Sequence, residues 1–199
     1  MFIRNNYINN YKPHFKIKQP TFQSKIQRLT NINIGMMPQG FIGHVNLKNV
    51  TQNIDTFMPV FKIFDCGNEK YIIKNDCGEI IGQFTAKINK YSSYDKCIYT
   101  TNPSNVYIDD LFNYSDPKTP FHNSKLDEYK GVGTRLLQIA LKRSNEAQCF
   151  GNLRLNAMPE SKPFYENIGM IPDPNHPHSG MMILPTEHKE LLAKLYGGL

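Results

Sequence analysis

From about Phe57 onward, hydrophobic and polar positions fall into short patterned runs separated by turn residues. The runs "FMPVFKIF", "KYIIKND" and "EIIGQFTAKI" read as strands. In the last, Gly82, Phe84, Ala86 and Ile88 alternate with Gln83, Thr85 and Lys87, the period of two that buries one face of a strand. "NDCG", between the second and third runs, supplies Asn, Asp and Gly for a tight turn and predicts an antiparallel hairpin. A fourth run, "SNVYIDDLF", follows a proline-containing loop. The stretch "NYSDPKTPFHNSKLDEY" then has two prolines and no periodicity, which predicts an unusually long loop within residues 113–130.

After that loop the period changes. In "EYKGVGTRLLQIALKRS", Val132, Leu136, Leu137, Ala140 and Leu141 form one stripe at helical spacing, and Lys142 and Arg143 sit where cations complement the helix dipole. "FGNLRLNA" predicts a short strand with Leu153 and Leu155 on one face. "ESKPFYENIG" predicts a short helix closed by Gly169. "SGMMILP" reads as a final strand and "TEHKELLAKLYGG" as a C-terminal helix. The first forty residues read as irregular, with one short helix around Thr21 to Leu29. Antiparallel strands followed by helix, strand, helix and strand predict a mixed α/β fold, a mostly antiparallel central sheet flanked by helices.

Composition narrows the function classes. A chain of 199 residues, 40% hydrophobic and 20% charged, suits one globular domain with an extension. No apolar run approaches the roughly 18 residues of a membrane span. Cys66, Cys77, Cys97 and Cys149 form no Cys-x-x-Cys pair, which favours a reducing, cytoplasmic setting, with a secreted effector role left open. The net charge of +6 is uneven. Residues 1–54 hold seven basic side chains and no acidic one, whereas the remainder is nearly balanced. Residues 1–55 are therefore expected to be a basic, partly irregular extension and residues 56–199 the folded domain. Such an arm suits an anionic partner, either nucleic acid or an anionic surface, or is simply solvated. The scattered charges make the solvated reading the stronger one.

The candidate chemistry starts at the two glycines. Unpaired amides at a helix start and the positive end of its dipole favour a phosphate, and Gly131 and Gly133 permit turn geometry and close backbone approach. The segment lacks the P-loop pattern and the third glycine of a dinucleotide fingerprint. "NHPHSG" places His176 and His178 two apart, but no Cys, Asp or Glu cluster completes a metal site, so no metal is expected.

Three segments together resemble the GCN5-related N-acetyltransferases. "EYKGVGTRLL" is similar to that family's pyrophosphate motif R/Q-x-x-G-x-G/A, "LRLNAMPESKPFYENIGM" to the strand and helix that follow, and "VYIDDLF" to the strand facing the thioester. The order agrees over residues 70–185. The resemblance implies the acyl-CoA N-acyltransferase fold, acetyl-CoA as cosubstrate, and direct attack of a primary amine in a ternary complex. The acceptor is then a small-molecule or protein amine. Lys130, Gly131, Val132, Gly133 and Thr134 would hold the diphosphate. Glu128 departs from the motif, placing an acid where the family has Arg or Gln.

The implied reaction sets demands on the remaining residues. Neutralising an amine of pKa about 10.4 at pH 7 costs about 4.6 kcal/mol, so a base is useful. Asp109 and Asp110 are the candidates; on a regular strand they point to opposite faces. A main-chain N–H near Leu111 or Phe112 would stabilise the oxyanion, and Tyr165 would protonate the leaving thiolate or simply pack in the core. Ser161 either contacts CoA or caps its helix, and Asn156 either contacts pantetheine or forms a turn. The competing reading is a binding module of the same fold with little or no catalysis, acting through the basic arm or the long loop.

Overall fold

The computed structural model describes residues 40–90, 104–185 and 188, all in the unit spanning Met37–Leu199. The helices expected at residues 21–29 and near the C-terminus lie outside the described residues. Five long strands come first: β1 (Phe41–Asn49), β2 (Ile54–Asp65), β3 (Asn68–Lys74), β4 (Ile80–Asn89) and β5 (Asn105–Asn113). The two-residue β6 (Tyr129–Lys130) leads into α1 (Val132–Glu146). Then come β7 (Leu153–Asn156), α2 (Lys162–Asn167), β8 (Ile171–Pro172) and β9 (Met181–Ile183).

The strands form one sheet in the order β6-β1-β2-β3-β4-β5-β7-β9-β8. Its pairs are antiparallel except β5 with β7, where α1 supplies the crossover a parallel pair requires. This is the expected mixed α/β class. The "NDCG" hairpin also forms: Gly78 N donates to Asn75 O at 2.9 Å, with Gly78 at φ 81°.

One expectation is corrected at the start of the sheet. Residues 41–49, assigned from sequence to the extension, form β1, which pairs with β2 from Phe41↔Phe61 to Asn49↔Ile54. Val45 and Leu47 are buried while His44 and Lys48 are exposed, so the period-2 signal was present but short. β2 likewise begins before the "FMPVFKIF" run, at Ile54.

The core lies between α1 and one face of the sheet. Phe84 and Ala86 of β4, Ile108 of β5, Leu155 of β7 and Leu136, Leu137 and Ala140 of α1 are all at most 2% exposed. Arg143 of α1 crosses to Glu69 of β3, which pairs with Ala86 in the sheet. The even-numbered residues Phe84 and Ala86 therefore face α1, and Gln83, Thr85 and Lys87 face away.

The long loop is a folded structure. Asn113 Oδ1 accepts from Ser115 N and Oγ, Thr119 Oγ1 donates to Asn113 O at 2.9 Å, and Asn123 N donates to Tyr114 O at 2.8 Å. Buried Leu126 joins its far end to the core. Its exit is tied to β1, where Val50 N donates to Glu128 O and Asn49 Nδ2 to Asp127 Oδ2. The pairs Lys48↔Lys130 and Asn49↔Tyr129 then set the glycine turn at a fixed place beside the sheet.

Candidate functional site

The start of α1 is an open backbone turn. Gly131 is its N-cap in the left-handed region (φ 88°, ψ 0°), and no side chain caps the helix. The first helical bond runs from Arg135 N to Gly131 O at 2.9 Å, so the amides of Val132, Gly133 and Thr134 precede the helical ladder. A Cβ built at Gly131 would meet no heavy atom within 4 Å. The residue is glycine because of its conformation, and among the described residues nothing occupies the space above it.

Gly133 serves a different purpose from the one expected. A Cβ there would fall 2.8 Å from Cζ of Phe164, so its smallness admits the ring of α2. Val132 (1% exposed) and Thr134 (6%) are buried, which leaves them main-chain groups to offer. Lys130 is exposed beside the turn.

Beyond the turn, the sheet opens. β5 and β7 pair only from Val106↔Leu153 to Ile108↔Leu155, so among the described residues the edge of β5 facing β7 has no strand partner from Asp109 onward. Leu111 and Phe112 lie on this free length. Leu111 packs against the core on the α1 face, while Phe112 stacks on Tyr114 and meets Phe121 of the long loop edge-on at 4.7 Å.

A β-bulge changes the aspartates. Thr85 pairs with Asp110 and Ala86 with Ile108, leaving Asp109 as the extra residue. Asp110, opposite Thr85, faces away from α1. Asp109 reaches that same face, where its Oδ2 is 2.8 Å from Lys87 Nζ. The two carboxylates therefore share a face instead of dividing between two. Lys87 was not singled out in the sequence, although the β4 alternation places it on the polar face. The hydrogen bond to Asp109 holds its ammonium above the ordinary lysine range, and Tyr107 and Asp110 add to that.

Tyr165 is in α2, 7% exposed, beside Phe164 with ring centroids 5.1 Å apart. Burial pushes its phenol up to about 12, so it stays protonated through the physiological range. Ser161 precedes α2 but makes no side-chain cap; its hydroxyl donates to Met158 O at 3.0 Å. Asn156 is exposed at the end of β7, its Oδ1 beside Gly180.

A cavity of about 300 Å³, lined by His44, Val60, Lys62, Tyr71, Ile139 and Arg143 among others, lies over the C-terminal half of α1. It contains none of the candidate residues. The candidate residues lie instead around the helix N-terminus and the β5–β7 gap. Among the described residues, no group of three His, Cys, Asp or Glu is placed to hold a metal, and no helix is long and apolar enough to cross a membrane.

No protein-family model and no curated protein sequence matches the chain. It is similar to an AtaT toxin variant bound to the C-terminus of the antitoxin AtaR and acetyl-CoA, at 18% identity over 64% of this chain and 73% of that one, TM-score 0.42. A bacterial toxin is 17% identical over 67% of this chain and 76% of its own, TM-score 0.44. Nourseothricin acetyltransferase is 17% identical over 74% and 88%, TM-score 0.38. At such values, what the chain does rests on its own site. That site combines the parallel β5–β7 pair, which ends at Ile108↔Leu155, with the glycine turn opening α1.

Proposed function

We propose that the chain is an acetyl-CoA-dependent N-acetyltransferase that transfers the acetyl group directly to a primary amine. The observation that carries the reading is the uncapped turn at Gly131, where a built Cβ meets no heavy atom of the described residues within 4 Å, at the head of a 15-residue helix beside the β5–β7 gap. The amides of Val132, Gly133 and Thr134, aided by Lys130, bind the diphosphate, because unpaired N–H groups and the helix dipole both favour anionic oxygen there. The pantetheine arm follows the free edge of β5, with Asn156 and Ser161 flanking it. This directs the thioester toward Leu111 and Phe112, where a main-chain N–H stabilises the oxyanion.

The amine approaches from the face of Asp109 and Asp110. Lys87 holds Asp109, and exposed Asp110 draws the incoming ammonium. Tyr165 donates a hydrogen bond to the departing sulfur. Its burial keeps that proton available but makes full transfer to a thiolate uphill, so the phenol acts chiefly as a donor.

A binding module of the same fold is the competing reading. Glu128 favours it, because a carboxylate three residues before Gly131 repels a diphosphate. Isothermal titration of the full chain with acetyl-CoA decides between them. Micromolar binding followed by mass-shift detection of an acetylated amine supports the enzyme, and no heat at high micromolar cofactor overturns it.

A further inference from the structure

We propose that His176, seated by Asp173 and Arg154, is the proton acceptor on the amine side of the cleft; this rests on the acetyltransferase reading. Asp173, only 1% exposed, is held from three directions. Its Oδ1 accepts from Asn175 N at 2.9 Å, its Oδ2 accepts from Arg154 Nη2, and the same Oδ2 lies 3.1 Å from His176 Nδ1. About half of the His176 side chain is exposed (49%). A buried carboxylate thus orients one ring nitrogen while much of the ring meets solvent.

The cluster lies beside the gap. Arg154 of β7 pairs with Tyr107 of β5, which pairs with Lys87 of β4, so the three share the face that carries Asp109 and Asp110. The loop of residues 173–180 closes onto the end of β7, where the strands part. Ala157 N donates to Gly180 O at 2.7 Å, and a Cβ at Gly180 would fall 2.5 Å from Asn156 Oδ1. Charged and titratable groups facing the imidazole are Arg154 from β7 and Asp173 beyond β8. Tyr107, Lys87, Asp109 and Asp110 lie further along the same face, and His178 is on the loop itself.

Nδ1 is also 2.9 Å from Arg154 Nη2. A guanidinium only donates, so the ring's tautomer selects its partner. With the proton on Nε2, Nδ1 accepts from Arg154 and the ring has no free lone pair. With the proton on Nδ1, the ring donates to Asp173 and Nε2 is a base. In that state an ammonium N–H bond breaks, its electron pair stays on the amine nitrogen for attack on the thioester, and the proton bonds to Nε2. Asp173 stabilises the imidazolium, which returns its proton to water.

Two measurements on the full chain test this. Long-range ¹H–¹⁵N spectra of histidine-labelled protein should show neutral His176 protonated on Nδ1; an Nε2-protonated ring overturns the proposal without reference to turnover. His176→Gln should lower kcat at pH 7 by about 10²-fold or more, with the loss fading toward pH 10 where the amine deprotonates itself, and leave acetyl-CoA affinity within about twofold. An unchanged pH–rate profile overturns this proposal alone. Absence of acetyl-CoA binding by the wild-type chain overturns the acetyltransferase reading and this proposal with it.

Discussion

The ring of Phe164 lies against the α-carbon of Gly133, so close that a Cβ at Gly133 would be 2.8 Å from its Cζ. One contact thereby joins the helix opened by the glycine turn and the helix that carries Tyr165. Gly133→Ala should push α2 outward and destabilise the protein by about 1–2 kcal/mol, more than the helix propensity of alanine restores. Thermal unfolding of Gly133→Ala, Phe164→Leu and the double variant checks it: the double variant should recover most of the loss, whereas additive losses would show that the two residues are uncoupled.

On the proposed mechanism, Tyr165→Phe removes the donor to the leaving sulfur and keeps the buried ring. Turnover should fall by about 10-fold or more with acetyl-CoA affinity little changed. Steady-state rates alongside calorimetric Kd values separate the two, and an undiminished kcat would take the phenol out of the mechanism.

Glu128→Gln should tighten acetyl-CoA binding by about 2- to 5-fold at low salt, because it removes a like charge near the proposed diphosphate site. The gain should shrink as ionic strength rises. A titration series in increasing salt reads it directly; an affinity indifferent to Glu128 would mean that its carboxylate points away from the cofactor.

Glu69 and Arg143 predict a pH dependence of stability. Arg143 Nε and Nη2 donate to the two oxygens of Glu69 at 2.6 and 2.7 Å, and Lys62 and Tyr71 donate as well. Burial pushes the carboxyl up, but the hydrogen bonds from Arg143, Lys62 and Tyr71 outweigh it and bring it to about 2. A folded-state pKa below the unfolded one means stability that is present above about pH 4.5 and is lost as pH falls toward 2. Denaturant unfolding between pH 7 and 2 should show the loss. Glu69→Gln should flatten it while destabilising the protein at pH 7 by about 3 kcal/mol or more, because Arg143 and Lys62 lose the buried carboxylate charge they share.

Local order was legible in the sequence wherever one segment sufficed to determine it. The stripe from Val132 to Leu141, the β4 alternation, the "NDCG" hairpin and the glycine turn before α1 follow from spacing and from residues that tolerate special backbone angles. Pairing between distant segments decided the rest. The bulge that brings Asp109 and Asp110 to one face exists only in register with β4, and β1 is recognisable chiefly through its partners β2 and β6. Arg143 meets Glu69 across 74 positions, and Arg154 meets Asp173 only because β7 and the 173–180 loop lie together. Periodicity is a property of neighbouring residues; which carboxylate meets which cation depends on how strands are stacked, and that is settled when the core closes.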